Sequence, residues 1–168
     1  MVFFQVSSPA VMDGRLLDAY RCERKPENLV QNSIPLEWIN VPAGTGSLAV
    51  SMHHYHDPQD ALKEDPHQYA NGYLELWDID PSVTEIPYKQ AGNGPWYMGA
   101  NKDHDAISYT SPCSREAGDH EYVITVYALS ETPSSLPAES SLEVTYTDLV
   151  EAIKTVKVIA TATLVFKS

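Results

Sequence analysis

Residues 109–129 read Tyr109-Thr-Ser-Pro-Cys-Ser-Arg-Glu-Ala-Gly-Asp-His120-Glu-Tyr122-Val-Ile-Thr-Val-Tyr-Ala-Leu129, a polar segment that leads through one histidine into an apolar run. Proline and glycine in the first half predict a loop. The run Tyr122–Leu129 is apolar on both faces, which predicts a strand in the centre of a sheet. Because binding groups are often carried by a loop held on a rigid strand, this junction is the first candidate for a functional site.

Other segments predict a mostly β chain with one late helix. Residues 1–6 predict a first strand, and Ser47–Met52 predicts another. In the predicted strand Tyr73–Ile79, Tyr73, Glu75 and Trp77 alternate with Leu74 and Leu76 and are expected on one face. A helix is expected from Thr145, which forms a variant capping box with Asp148. A two-residue period then predicts a last strand, Val158–Lys167.

Composition limits the class of protein. A chain of 168 residues with 43% hydrophobic and 20% charged residues predicts a single folded domain, residues 1–168. The formal charge of −12 repels phosphate backbones, so nucleic acid is not an expected partner. No segment has the apolar length of a membrane span or the pattern of a secretory signal, which predicts a cytoplasmic protein. Cys22 and Cys113 are therefore expected as two free thiols rather than a disulfide.

The motifs along the chain are similar to those of one family. The stretch 109–129 resembles the G-x-G-P-x-P-P-x-G-x-H-x-Y-x-F-x-x-Y-A-L signature of the phosphatidylethanolamine-binding protein family, in its bacterial Raf-kinase-inhibitor-like branch. Further motifs resemble the family upstream: Phe4-Gln-Val-Ser-Ser-Pro-Ala-Val-Met-Asp-Gly14, Ser33-Ile-Pro-Leu-Glu-Trp38 and Val41-Pro-Ala-Gly-Thr-Gly-Ser-Leu-Ala-Val50. One departure is Met52-His53-His54, which stands where most members carry an acidic Asp-Pro-Asp-Ala-Pro stretch and resembles a variant sub-branch.

The resemblance implies a fold and a function. It implies a β-sandwich of two antiparallel sheets with a helix near the C-terminus. It also implies a pocket at one end of the sheets that binds a small anion, such as phosphate or a phosphate-bearing head group. Because the sequence has no nucleophile elbow, a non-enzymatic protein is expected, and no cofactor is expected. The residues of this chain that match the family's pocket, or the variant sub-branch, are His54, Tyr73, Tyr109, Pro112, Cys113, His120 and Tyr122.

The histidines give this expected pocket its chemistry. Imidazoles in place of a carboxylate favour anions when they are protonated, near pH 6.5 in an unperturbed side chain. Strand alternation places His54 and His56 on one face and His53 on the other, so at most two of the three join His120. His67 and His104 lie among charged loop residues and are expected to be solvated.

Three alternatives remain at this stage. The cluster of His53, His54 and His56 with His120 is a possible metal site, since alternate imidazoles on a strand can chelate a metal ion. A hydrolytic site is a second alternative, since several serines and Cys113 lie near histidines, although no nucleophile elbow is present. The resemblance also allows a role as a protein-interaction inhibitor of a kinase or protease.

Overall fold

The computed structural model describes residues 2–21, 33–112 and 120–168. Within these residues, ten strands form a sheet of three and a sheet of seven, and one α-helix follows late in the chain. The elements are β1 (Gln5–Ser7), β2 (Val11–Met12), β3 (Arg15–Leu16), β4 (Leu36–Ile39), β5 (Ser47–His54), β6 (Asn71–Ile79), β7 (Glu85–Ile86), β8 (Tyr97–Met98), β9 (Glu121–Leu129), α1 (Tyr146–Ile153) and β10 (Val158–Lys167).

The two sheets confirm the predicted mostly β fold class. The small sheet has the order β1-β4-β7, and the large sheet has the order β2-β3-β10-β9-β5-β6-β8. In the series β10, β9, β5 and β6, each long strand is antiparallel to its neighbour. Strand β9 lies between β10 and β5, so the apolar run Tyr122–Leu129 is central in its sheet, as its two apolar faces predict.

Apolar side chains lie in two layers. The main core fills the space between the sheets and includes Trp38, Leu76, Ile124 and Phe166, each at most 2% exposed. A second cluster lies on the other face of the large sheet, beneath α1; it consists of Ala49, Trp77, Leu129, Val144, Leu149 and Ile153. Both faces of the central strands are therefore covered, which explains their near-continuous apolar sequence.

The register of β6 corrects the predicted alternation. Tyr73, Glu75 and Trp77 were expected on one face, but Tyr73 packs in the main core against Tyr122. The β5–β6 ladder shifts between the pairs Met52↔Leu74 and His53↔Gly72. This irregularity inserts an extra residue on β6, so Tyr73 turns to the inner side while Glu75 stays on the side of α1. The shift is what brings the Tyr73 hydroxyl into the candidate site.

The start of α1 follows the predicted capping box. The Thr145 backbone N–H donates to Asp148 Oδ2 at 3.0 Å, and the Asp148 N–H donates to Thr145 Oγ1 at 3.4 Å. These reciprocal bonds satisfy two of the N–H groups that a helix N-terminus leaves without partners. The cap therefore fixes the start of α1 at Tyr146, whose side chain is buried.

Thr145→Ala should lower the free energy of unfolding by about 1 kcal/mol, because it removes the cap's side-chain acceptor. Urea unfolding measures the loss. The control is Thr147→Ala in the same helix, whose hydroxyl lies 3.5 Å from the His67 carbonyl oxygen and makes a weaker contact. Equal losses in the two variants would contradict a specific capping role.

Candidate functional site

Aromatic rings from four strands form a cluster at one end of the large sheet. The His54 ring stacks on Tyr122 at 4.7 Å between centroids, and Tyr122 stacks in turn on Phe166 at 5.5 Å. His120 meets His54 edge to face at 5.4 Å, and Tyr73 meets Tyr122 in the same way at 5.2 Å. The structure therefore brings together four of the sequence-predicted site residues: His54, Tyr73, His120 and Tyr122.

Strand register explains why the two histidines meet. His54, the last residue of β5, pairs directly with Tyr122 of β9. His120 immediately precedes β9, and the residue after it, Glu121, accepts a hydrogen bond through its carbonyl oxygen from the His54 ring. The loop-to-strand junction thus delivers His120 to the end of β5, where it is partly exposed beside a buried His54.

The His54 ring is held in one orientation. Its Nδ1 lies 2.9 Å from the Glu121 carbonyl oxygen, which can only accept, so Nδ1 carries the proton. Burial is the main cause that lowers the pKa of His54 below 6.5, and the neighbouring His120, His56 and Lys102 lower it further. The carbonyl bond opposes this shift. His54 is therefore neutral at pH 7, with Nε2 left as an acceptor, which corrects the expectation of a cation near pH 6.5.

The tyrosine hydroxyls stay protonated in this cluster. Burial is the first cause that raises the pKa of Tyr73, and the hydrogen bond it donates to the Tyr122 hydroxyl raises it further. Burial also raises the pKa of Tyr109, which is 2% exposed and lies behind the cluster rather than at its surface. Tyr73 and Tyr122 can thus offer uncharged hydroxyls to a ligand.

Two cations lie near the cluster and were missed by the sequence reasoning. The charge of Lys102 lowers the pKa of His54, and the charge of Arg21 lowers the pKa of Tyr122. The backbone N–H of Lys102 donates to Thr110 Oγ1 at 3.0 Å, and the backbone N–H of Thr110 donates to the Tyr73 carbonyl oxygen at 2.9 Å. No sequence motif marks Lys102, because its position depends on this loop-to-strand contact.

The loop that precedes β9, residues 109–119, is described only as far as Pro112. Pro112 is buried next to Ser111, which is 2% exposed. Cys113 lies outside the described residues, as does Cys22, so the predicted free thiols are not addressed by the structure. Of the predicted site residues, Tyr109 lies behind the ring cluster, close enough to Tyr73 and Tyr122 for them to add to the rise in its pKa that burial causes.

The other two histidines of the β5 end lie apart from the cluster. His53 points to the opposite face, where its ring stacks on Tyr146 of α1 at 5.0 Å. His56 is exposed beyond the end of β5. Among residues 2–21, 33–112 and 120–168, no group of three His, Cys, Asp or Glu side chains is placed to hold a metal ion.

A buried polar group on the α1 side was also missed. Glu75 is 1% exposed, and its Oε2 has no hydrogen-bond partner within the described part of the chain. Burial first, and then the charge of Asp148, raises the pKa of Glu75 well above 4.5. The Nδ1 atom of His53 is likewise buried without a partner there, and burial is the main cause that lowers the pKa of His53 to about 4.

The expectation for His67 was wrong, whereas His104 is exposed as expected. His67 is 6% exposed, and its Nε2 contacts Glu151 Oε1 of α1. That hydrogen bond is the first cause that lowers the pKa of Glu151. His67 therefore ties the loop before β6 to the helix instead of facing solvent.

A large groove lies away from the ring cluster. The groove, of about 1080 Å³, runs along β1, β4 and β10 and shares no residue with the cluster. Its only charged lining side chains within the described ranges are Glu37 and Glu85, and it contains no histidine. The ring cluster, not this groove, carries titratable groups that face one another.

Within the described residues, no helix has the length and apolar character needed to cross a membrane.

Comparison with known proteins places the chain among related folds. A family model described as phosphatidylethanolamine-binding protein matches residues 7–167. A phosphatidylethanolamine-binding protein homologue from Chlamydia trachomatis, CT736, has 25% sequence identity and a TM-score of 0.73, over 98% of this chain and 96% of that one. Escherichia coli YbcL, described as a member of the mammalian family, has 21% identity and a TM-score of 0.74, over 98% of both chains. No curated protein matches the chain significantly.

Proposed function

Because the chain belongs to the phosphatidylethanolamine-binding protein family, we propose that it binds a small anion, such as phosphate or a phosphate-bearing head group, between His54, Tyr73, His120 and Tyr122. The observation that carries the proposal is the convergence of two imidazoles, 5.4 Å apart between ring centroids, at the end of β5. An oxyanion has several acceptor oxygens and is suited to bridge donors that converge in this way.

The donors around this point match an oxyanion. The Tyr122 hydroxyl, which accepts from Tyr73, keeps its own proton near neutral pH and can donate it to an anion, and Lys102 and Arg21 are the nearby cations. Asp103 is the one carboxylate that acts on Tyr73, and it lies 3.7 Å from the Lys102 ammonium, which offsets its charge. Arg21 is likewise paired, with Asp18 at 3.7 Å, so the proposal depends on the converging donors rather than on a net local charge.

Proton uptake is part of the proposed binding. With Nδ1 donating to the Glu121 carbonyl oxygen, His54 donates to an anion only after Nε2 gains a proton. A bound anion favours that cationic form and so raises the pKa of His54 towards its unperturbed range. Affinity for an anion should consequently increase as the pH falls below about 6.5.

The alternatives have less support. Hydrolysis needs a nucleophile beside a base, but Ser51 Oγ bonds Tyr127 on the α1 side of the sheet, at 3.1 Å, away from His54. In the described ranges, the hydroxyl of Ser108 has no partner at all. A metal site lacks the third ligand among these residues. We therefore propose binding without catalysis.

His120→Ala should weaken sulfate binding by about 1–3 kcal/mol, the cost of losing a hydrogen bond to a charged group, and leave the melting temperature nearly unchanged. Isothermal calorimetry and thermal unfolding on the same variant measure both quantities. The matched control is His56→Ala, an exposed histidine near the cluster, which should retain most of the affinity. Lost stability with unchanged affinity would remove His120 from the binding site.

A further inference from the structure

A second cavity lies behind the ring cluster. Its volume is about 360 Å³, and it is lined by residues 89–93 and 107–109 together with Ser33 and Met98. The Lys89 N–H donates to the Ser33 carbonyl oxygen at 2.9 Å, and the Ala91 N–H donates to Ser33 Oγ at 3.2 Å, which fixes one wall. The volume falls in the range of small-molecule sites, about 300–1,000 Å³.

Ser108 offers this cavity an unsatisfied hydroxyl. The residue is 3% exposed, and its Oγ has no hydrogen-bond partner within the described ranges. Buried polar groups are normally paired, so a lone hydroxyl in a cavity wall points to a missing partner. Turning the side chain towards the cavity breaks no hydrogen bond, because none is made in the present orientation.

The lining indicates the chemistry of that partner. Lys89 is the cavity's only charged lining side chain, and Gln90 and Asn93 add amide groups. The Lys89 ammonium has no ion pair within residues 2–21, 33–112 and 120–168 and lies 5.1 Å from the centre of the Tyr88 ring. No Asp or Glu side chain lines this cavity, although the chain contains 23 of these residues.

The rest of the wall is apolar. Ala91 and Met98 are buried, and Ile107 is 43% exposed at the surface. From these features we infer that the cavity is a second binding site, which takes a small carboxylate with an apolar body. The carboxylate meets Lys89 and Ser108, and the apolar body packs against Ala91, Met98 and Ile107.

This site is separate from the proposed anion pocket. Tyr109 lines the cavity, and it lies close enough to the ring cluster that, besides burial, Tyr73 and Tyr122 raise its pKa. Its buried ring forms the wall between the two sites. A ligand in the cavity should therefore not compete with an anion held by His54 and His120.

Benzoate is the probe, and benzyl alcohol, which has the same ring but no charge, is the control. The protein, saturated with sulfate, is titrated by NMR. We expect a benzoate dissociation constant in the millimolar range, as for a ligand of about ten heavy atoms, with shifts at the Gly92, Asn93 and Ser108 amides. Benzyl alcohol and the variant Lys89→Gln should each bind at least about tenfold more weakly, because a charge-assisted bond is lost.

Ser108→Ala separates a binding role from a structural one. It should weaken benzoate binding several-fold while unfolding stability stays equal or rises, because it removes an unpaired buried hydroxyl. Lower stability with unchanged affinity would overturn the proposal, as would equal affinity for benzyl alcohol or the absence of any amide shift. Competition between benzoate and sulfate would assign the binding to the ring cluster and also overturn a separate site.

Discussion

The Glu75→Gln variant is expected to lack the loss of stability that Glu75 causes in the wild-type protein as the pH rises above about 4.5. Burial first, and then Asp148, raises the pKa of Glu75 well above 4.5, so the folded protein keeps a proton that the unfolded chain releases. The resulting stability is fully present below pH 4.5 and is lost as the pH rises through the folded pKa. Between the two pKa values the loss is about 1.4 kcal/mol for each pH unit.

Urea unfolding from about pH 4 to pH 9 measures this slope, and the comparison with wild type isolates Glu75 from other titrating groups. The slope is the quantity to compare, since the amide of glutamine also has to be accommodated in a buried site. Glu131→Gln, at an exposed position, is the control and should run parallel to wild type. A Glu75→Gln curve parallel to wild type would contradict a buried proton on Glu75.

The acid side of the same curve depends on His53. Burial lowers its pKa from 6.5 to about 4, so its contribution to stability is present above pH 6.5 and is lost as the pH falls through 4. Glu75→Gln should therefore leave the loss at low pH in place. Between about pH 4.5 and 6.5 the effects of the two residues have opposite signs and offset each other, so the loss due to Glu75 is seen by itself only above about pH 6.5.

Trp77→Ala is expected to lower the free energy of unfolding by about 3–5 kcal/mol, as for other large aromatic residues removed from a core. Trp77 is 0% exposed, joins β6 to α1, and donates its indole N–H to the Pro137 carbonyl oxygen at 2.9 Å. Its removal leaves a cavity under the helix and an acceptor without its partner.

Trp96→Ala is the matched control for this loss. Its indole N–H donates to the Ala91 carbonyl oxygen at 2.7 Å, but the side chain is only partly buried in a loop. The shift in urea midpoint should be clearly smaller than for Trp77→Ala. Similar shifts in both variants would show that the hydrogen bond, rather than burial under α1, determines the cost.

The sequence correctly predicted those elements that are determined by residues close together in the chain. The apolar run of β9, the two-residue period of β10 and the capping box at Thr145 each reflect backbone geometry that a few neighbouring residues determine. The opposite faces of His53 and His54 follow from the same alternation, because both lie in the regular part of β5.

The sequence could not predict features that depend on distant partners. Tyr73 faces the main core because of a register shift against β5, which alternation within β6 does not reveal. Glu75 is buried by α1, which follows about 70 residues later, and His67 is buried by its contact with Glu151 of the same helix. Lys102 reaches the ring cluster through a loop anchored at Thr110. Each of these positions is a tertiary contact without a short motif.

The most direct test of anion binding at His54 and His120 is a calorimetric titration with sulfate at about pH 5.5 and about pH 8, because sulfate keeps its charge at both values whereas a bound anion can draw a proton onto His54 more easily at the lower pH. Burial lowers the pKa of His54, so the anion has to draw a proton onto it. We expect several-fold tighter binding at the lower pH, with proton uptake from the buffer and with the affinity largely lost in His120→Ala. Equal affinity at both pH values, or undiminished binding in His120→Ala, would contradict the proposed function.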